Sequence, residues 1–118
     1  MARLLVTGAA DSDAAAIIGD LADKAGARVA ARYDAEFDRL YRRLESFPTS
    51  GSPRPALGAG VRIGVVPPFI VIYEYFEADD TVTILRLVHG RREVTRRLLK
   101  TPSSRRGGAS ATGAPSPR

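Results

Sequence analysis

The sequence predicts one α+β domain with the element order β-α-α-β-β-β-α, a helical hairpin packed on an antiparallel sheet. Two observations carry this. Residues 10–46 hold two apolar stripes at helical spacing with one glycine between them. Residues 60–89 hold three short apolar runs, broken first by Pro67-Pro68 and then by Ala78-Asp79-Asp80. A third observation bounds the answer: 118 residues, 44% hydrophobic and 26% charged, leave room for one domain, not two.

Arg3-Leu4-Leu5-Val6-Thr7 reads as a short strand, and Thr7 offers a cap to the helix behind it. Ala10, Ala14, Ile17, Ile18, Leu21, Ala22 and Ala25 form one helix face, with Asp11, Asp13, Asp20, Asp23 and Lys24 mostly on the other. Gly26 stops that helix. A second helix over residues 27–46 carries the stripe Val29, Tyr33, Phe37, Leu40, Tyr41 and Leu44, and puts Arg32, Asp38, Arg39, Arg42, Arg43 and Glu45 outside. One glycine between two amphipathic helices makes an antiparallel hairpin. Residues 47–55 hold three prolines and a glycine, which suit neither helix nor central strand. Residues 60–66 are the next strand. Residues 69–77 follow, apolar on both faces at the start and therefore central. Residues 81–89 are the last, with Val82, Ile84 and Val88 expected on one face and Leu85 and Leu87 on the other. Tight turns make these three an antiparallel meander. Residues 91–100 suit a final short helix with Val94, Leu98 and Leu99 inward. The folded domain is then residues 1–100. Residues 101–118 contain only Thr, Pro, Ser, Arg, Gly and Ala, and read as a disordered basic tail, because nothing there can offset the entropy of ordering.

Composition excludes several chemistries. With no cysteine, disulfides, thiolate catalysis and cysteine-based zinc sites are out, and a reducing cytoplasm is the expected compartment. A single histidine rules out a His-rich metal site, and no cofactor is expected. The apolar run Phe69-Ile70-Val71-Ile72-Tyr73 is far shorter than the roughly 20 residues of a membrane span. The three apolar residues near the N-terminus fall short of the roughly 7–15 of a secretory signal.

Charge is uneven. The net +5 arises almost wholly after Leu85, where nine basic residues stand against Glu93 alone. Such a field attracts nucleic acid, an anionic membrane or an acidic protein. Sixteen of the eighteen basic residues are arginine, the side chain suited to bidentate contact with carboxylate or phosphate.

Catalytic sets are scarce. A Ser-His-Asp arrangement would need His89, which sits beside a glycine at a strand end. Gly58-Ala59-Gly60 has no lysine or helix after it and reads as a turn. Glu74 and Glu77 fall on opposite faces of one strand. What remains is arginine. Arg62 and Arg86 lie inside predicted strands, where charge is disfavoured unless paired or functional. Arg91 and Arg92 directly follow the sheet. Such a cluster suits a phosphate backbone or an acidic peptide. It equally suits a solvated surface with internal pairs, such as Arg62 or Arg86 with Glu74.

Three stretches resemble the ParE/RelE superfamily of toxins from bacterial type II toxin–antitoxin systems. They are Leu40-Tyr41-Arg42-Arg43-Leu44-Glu45-Ser46-Phe47-Pro48 with Gly51 and Arg54, then Val61-Arg62-Ile63 with Ile70-Val71-Ile72-Tyr73, then Ile84-Leu85-Arg86-Leu87-Val88-His89-Gly90-Arg91-Arg92-Glu93. The resemblance spans about residues 3–96, and the family's fold has the element order above. It implies a cytoplasmic toxin held by an antitoxin whose extended, acidic and amphipathic segment wraps it. The ribonuclease branch, RelE-like, cuts messenger RNA on the ribosome. Its five reactive positions fall here on Arg62, Gly64, Ile70, Arg92 and Leu98, so two of five survive. The ParE-like branch inhibits DNA gyrase by binding. The resemblance therefore implies a gyrase-binding toxin rather than an enzyme, neutralised by a ParD-like antitoxin in a hetero-oligomer, with Arg62, Arg91 and Arg92 as target-binding residues. The alternatives are a RelE-like endonuclease using Arg62, Arg86, His89 and Arg92, and a non-toxic member that only binds an antitoxin. Pro67-Pro68 and the long tail depart from the family pattern.

Overall fold

A computed structural model describes residues 1–90 and 96–99. The chain runs β1 (Arg3–Val6), α1 (Gly8–Ala25), α2 (Ala27–Ser46), β2 (Ser52–Pro53), a 3₁₀ turn at Pro55–Leu57, β3 (Val61–Val66), β4 (Phe69–Phe76), β5 (Thr81–His89) and α3 (Arg96–Leu99). The α+β class and the order β-α-α-β-β-β-α hold. The expected helix at residues 91–100 is seen at its Arg96–Leu99 portion, while 91–95 and 100 lie outside the described residues, as does the expected tail at 101–118.

Thr7 caps α1 as expected: its hydroxyl accepts from the Ala10 amide at 3.1 Å. Gly26 ends α1 at φ +95°, and its N–H returns to the Ala22 carbonyl. The left-handed backbone at that one residue lets α2 start at once and fold back over α1. Phe37, Leu40 and Leu44 of α2 are buried, whereas Ile17, Ile18 and Leu21 of α1 are half-covered. Both helices pack on the sheet, α1 against β5 and α2 against β3 and β1, with the apolar side chains of α2 the more deeply buried.

The sheet has five strands in the order β1-β5-β4-β3-β2. It is mixed rather than wholly antiparallel, because β1 pairs parallel with β5, Arg3 opposite Thr81 and Val6 opposite Ile84. A strand that leads into a helical hairpin can return to the sheet beside the last strand of the meander in this direction without crossing another connection. Within the loop at 47–55, Ser52–Pro53 adds a two-residue strand on the outer edge of β3. Proline is tolerated there because an edge strand does not need its N–H.

β4 is apolar on both faces, as expected of a central strand, because both faces are covered. Val71 and Tyr73 face the helical hairpin along with Phe37, Leu40, Leu44, Val82 and Ile84. On the other face Ile72 meets Val61, Val88 and Leu98, the last from α3. One expectation fails in β5. Leu87 joins Val82 and Ile84 under the hairpin, and Val88 faces α3 with Leu85. The cause is a bulge: Ile72 pairs with Arg86 but Tyr73 pairs with Ile84, so Leu85 is an extra residue and the alternation inverts beyond it.

The arginine positions and the candidate target-binding surface

Arg62 lies on β3 opposite Tyr73, and together they fasten the loop that follows α2. The Tyr73 side chain is fully buried. Its hydroxyl donates to the Pro48 carbonyl at 2.8 Å and accepts from the Gly51 amide at 2.9 Å. Arg62 Nη1 donates to the carbonyls of Thr49 and Gly51 at 3.0 and 2.9 Å. Gly51 is required at this point, since a Cβ would collide with the Tyr73 ring and the Ile63 carbonyl. Burial raises the Tyr73 pKa, and the Gly51 amide and the Arg62 and Arg43 guanidiniums oppose that rise. The Arg62 guanidinium is engaged in positioning a loop.

Arg86 is paired with Asp13, not with Glu74. Nε and Nη2 donate to the two carboxylate oxygens at 2.7 and 3.0 Å, a bidentate geometry. Nη1 donates to the Leu98 carbonyl in α3 at 3.1 Å. Asp13 also accepts from the Leu87 amide at 3.0 Å. The reason is visible in the sheet. β1 ends at Val6 opposite Ile84, so the outer edge of β5 has no strand beyond that point. Thr7 and Asp13 take over: the Thr7 hydroxyl donates to the Leu85 carbonyl, and Asp13 accepts from Leu87. Nothing in the local pattern of residues 7–13 signals that role, because the partners lie more than 70 residues away.

His89 is exposed at the far end of β5, its ring edge-on to Phe69 at 5.7 Å between centroids. Arg62 and His89 stand at opposite ends of the meander. Their pairing partners on β4 are Tyr73 and Phe69, and they are separated by two strand spacings, which places their Cα atoms roughly 16 Å apart. Arg62 is therefore not beside the point where the chain leaves the sheet at Gly90. Arg91 and Arg92, the other expected contact residues, lie outside the described residues. Glu74 is half-buried, and burial alone raises its pKa. Among the described residues no group of three metal-ligating side chains occurs, and no helix is long and apolar enough to cross a membrane.

The remaining positions implied for a ribonuclease are packing positions. Gly64 lies under α2, where a Cβ would come within 3.1 Å of both Leu40 methyl carbons. Ile70 and Leu98 belong to the apolar cluster on the α3 face, and Leu98 is 6% exposed.

A helical hairpin on a five-stranded sheet, with α3 closing the second face, is the arrangement of a known toxin class. The family model described as "ParE toxin of type II toxin-antitoxin system, parDE" matches residues 4–94, and the chain belongs to this family. The chain is similar to Toxin ParE3 of Caulobacter vibrioides, 30% identical over 100 residues, covering 85% of this chain and 98% of that protein. In fold it is similar to the chromosomal ParDE toxin–antitoxin system from P. aeruginosa, with TM-score 0.63 and 23% identity over 75% of this chain and 96% of the other. The toxin–antitoxin complex RelBE2 from Mycobacterium tuberculosis shares the fold at TM-score 0.52 and 21% identity, covering 75% of this chain and 90% of the other.

Proposed function

We propose that this ParE-family toxin inhibits DNA gyrase by binding it, and that a ParD-like antitoxin holds it inactive in a hetero-oligomeric complex. The observation that carries the reading is the use made of Gly64, Ile70 and Leu98. At these three positions the RelE-like branch implies reactive groups, and here they pack α2 and α3 onto the sheet. Arg86, offered for the endonuclease alternative, is committed to Asp13. A target contact is proposed at Arg91 and Arg92, which follow Gly90 at the end of the sheet, with Arg62 holding the opposite end. The P. aeruginosa neighbour is described as a ParDE toxin–antitoxin system, which supports an antitoxin partner of that kind.

The test uses purified full-length protein with gyrase in a DNA supercoiling assay, beside primer extension on translating ribosomes. Inhibition of supercoiling without codon-dependent cuts is expected, and Arg92→Ala should abolish it while the protein stays folded. Discrete A-site cuts would establish the RelE-like alternative. No effect in either assay, with antitoxin binding retained, would establish the non-toxic member.

A further inference from the structure

The two edges of the sheet are finished differently. At the β2 edge Ser52–Pro53 ends in a proline, which has no N–H to offer another strand. The other edge is β1, with no strand beyond it. Its run Leu4-Leu5-Val6 holds no proline, no charge and no bulge, the devices that ordinarily blunt such an edge. Leu5 and Val6 are 46% and 41% exposed there. Two bonds set the phase of the strand: Arg3 N–H donates to the Asp80 carbonyl, and Thr7 N–H donates to the Ile84 carbonyl. Alternate residues of a parallel strand bond to one neighbour, so Arg3, Leu5 and Thr7 turn their peptide groups to β5. Leu4 and Val6 turn theirs outward, and among the described residues nothing hydrogen-bonds to them there.

These open groups are symmetric about Leu5. An antiparallel copy centred there sets Leu4 opposite the partner's Val6, and Val6 opposite the partner's Leu4, as hydrogen-bonded pairs. Both outward N–H groups and both outward carbonyls of each chain are then answered. The neighbouring registers fail. Centring on Leu4 needs the Ala2 N–H, which already donates to the Glu45 carbonyl. Centring on Val6 needs Gly8 in an extended form, whereas Gly8 opens α1. In the register that remains, Leu5 meets the partner's Leu5, and Arg3 meets the partner's Thr7 rather than a second arginine. The sheet face that carries Leu5 is open on this side. A cavity of about 400 Å³ beside it is lined from β1, β4, β5 and the turn after β4, with no helix among them.

We propose that β1 pairs antiparallel with β1 of a second copy of this chain, about a twofold axis at Leu5, joining two five-stranded sheets edge to edge. The strand itself selects the occupant. A second copy supplies leucine and valine at the required spacing, fills every open backbone group and opposes no like charges. Residues 101–118 of the same chain offer no large apolar side chain to meet Leu5 and Val6. The contact is small. Five residues a side cover far less than the roughly 800 Å² per partner of a stable interface. A dissociation constant on the order of 10–100 µM is therefore expected. The contact needs neither gyrase nor an antitoxin.

The test is sedimentation equilibrium of the purified full chain, without partner proteins, up to about 1 mM, well above that constant. A monomer–dimer equilibrium is expected. Leu5→Glu sets two carboxylates directly opposite each other and should weaken it by about tenfold or more, as should Leu5→Lys, while an equimolar mixture of the two variants should dimerise again. The chain has no cysteine, so single Cys variants report proximity without background. The Cα atoms of a non-hydrogen-bonded pair lie about 4.5 Å apart, within reach of a disulfide. Leu5→Cys should therefore cross-link on oxidation, and Phe76→Cys, similarly exposed but two strands away, should not. Amide exchange reads the same contact in the unmutated chain. The Leu4 and Val6 N–H groups should gain protection with protein concentration, and that of Leu5, already turned to β5, should not. A chain that stays monomeric, a dimer indifferent to Leu5→Glu, no dimer from the mixed variants, or equal cross-linking of Phe76→Cys would each overturn the proposal. Protection of Leu4 and Val6 that arises only with an added partner protein would assign the edge to a different strand and overturn it as well.

Discussion

Removing either partner of the Asp13–Arg86 pair should cost far more than removing an exposed ion pair. The two side chains are 17% and 13% exposed. Truncating one leaves a partly buried charge unpaired, which costs about 3–5 kcal/mol at full burial and somewhat less here. It also frees the Leu98 carbonyl or the Leu87 amide. The Lys24–Asp20 pair is 76% and 60% exposed and is worth at most about 1 kcal/mol. Urea unfolding of Arg86→Ala against Lys24→Ala should show that contrast, and an Arg86→Ala protein of unchanged stability would refute the structural assignment. Glu74 behaves in the opposite sense. Burial raises its folded pKa above the ordinary 4.5, so the folded state holds the proton more tightly than the unfolded chain. Its contribution is fully present below about pH 4.5 and is lost as pH rises through the raised folded value. Glu74→Gln should therefore raise the melting temperature at pH 7, and the gain should vanish near pH 4. The sequence shows that an arginine inside a strand needs a partner, but not which: Glu74 is near in sequence, while Asp13 is brought in only by the seating of α1 at the end of β1.

At the scale of elements, the helical boundaries were legible because each has a local chemical cause. Thr7 caps α1, Gly26 ends it, and α2 closes before Pro48. The meander was legible for the same reason, since Pro67-Pro68 and Ala78-Asp79-Asp80 break the apolar runs. The bulge at Leu85 was not, because a two-against-one pairing is decided by β4 and leaves no mark in the β5 pattern. Neither was the parallel seating of β1, which depends on the whole hairpin. The candidate site was less legible than the fold. Arg62 and Arg86 stand out by type as charges inside strands, yet both hold structure together. Gly64 tests how much of the ParE-like character is packing. Gly64→Ala puts a methyl group 3.1 Å from Leu40 and should cost about 1–3 kcal/mol, read as a fall in melting temperature. Gly64→Lys, which restores a basic residue at that position, should destabilise further and confer no messenger RNA cleavage. A stable Gly64→Lys protein that cuts message would show that the position faces solvent and that the RelE-like branch is one residue away.

Over the whole molecule the decisive feature is the segregation of charge, with the basic surplus after Leu85 and a chain that ends in residues 101–118 bearing Arg105, Arg106 and Arg118 and no acid. That segment has no large apolar side chain, so its removal takes away no core. Truncation after residue 100 should shift the melting temperature by no more than about 2–3 °C, because a segment with no large apolar side chain to bury should change stability by no more than about 0.5 kcal/mol. It does change the long-range field, lowering the formal net charge from +5 to +2. A field of that kind acts on association rate more than on the contacts of the bound state. The truncated protein should therefore associate more slowly with an acidic partner at low ionic strength and match the full chain at high ionic strength, where the screening length falls to about 3 Å at 1 M salt. Stopped-flow association with a labelled acidic peptide of alternating Val and Glu across a salt series measures this. A large fall in melting temperature on truncation would show instead that the segment docks on the domain, and an unchanged rate at every salt concentration would remove its role as a steering arm.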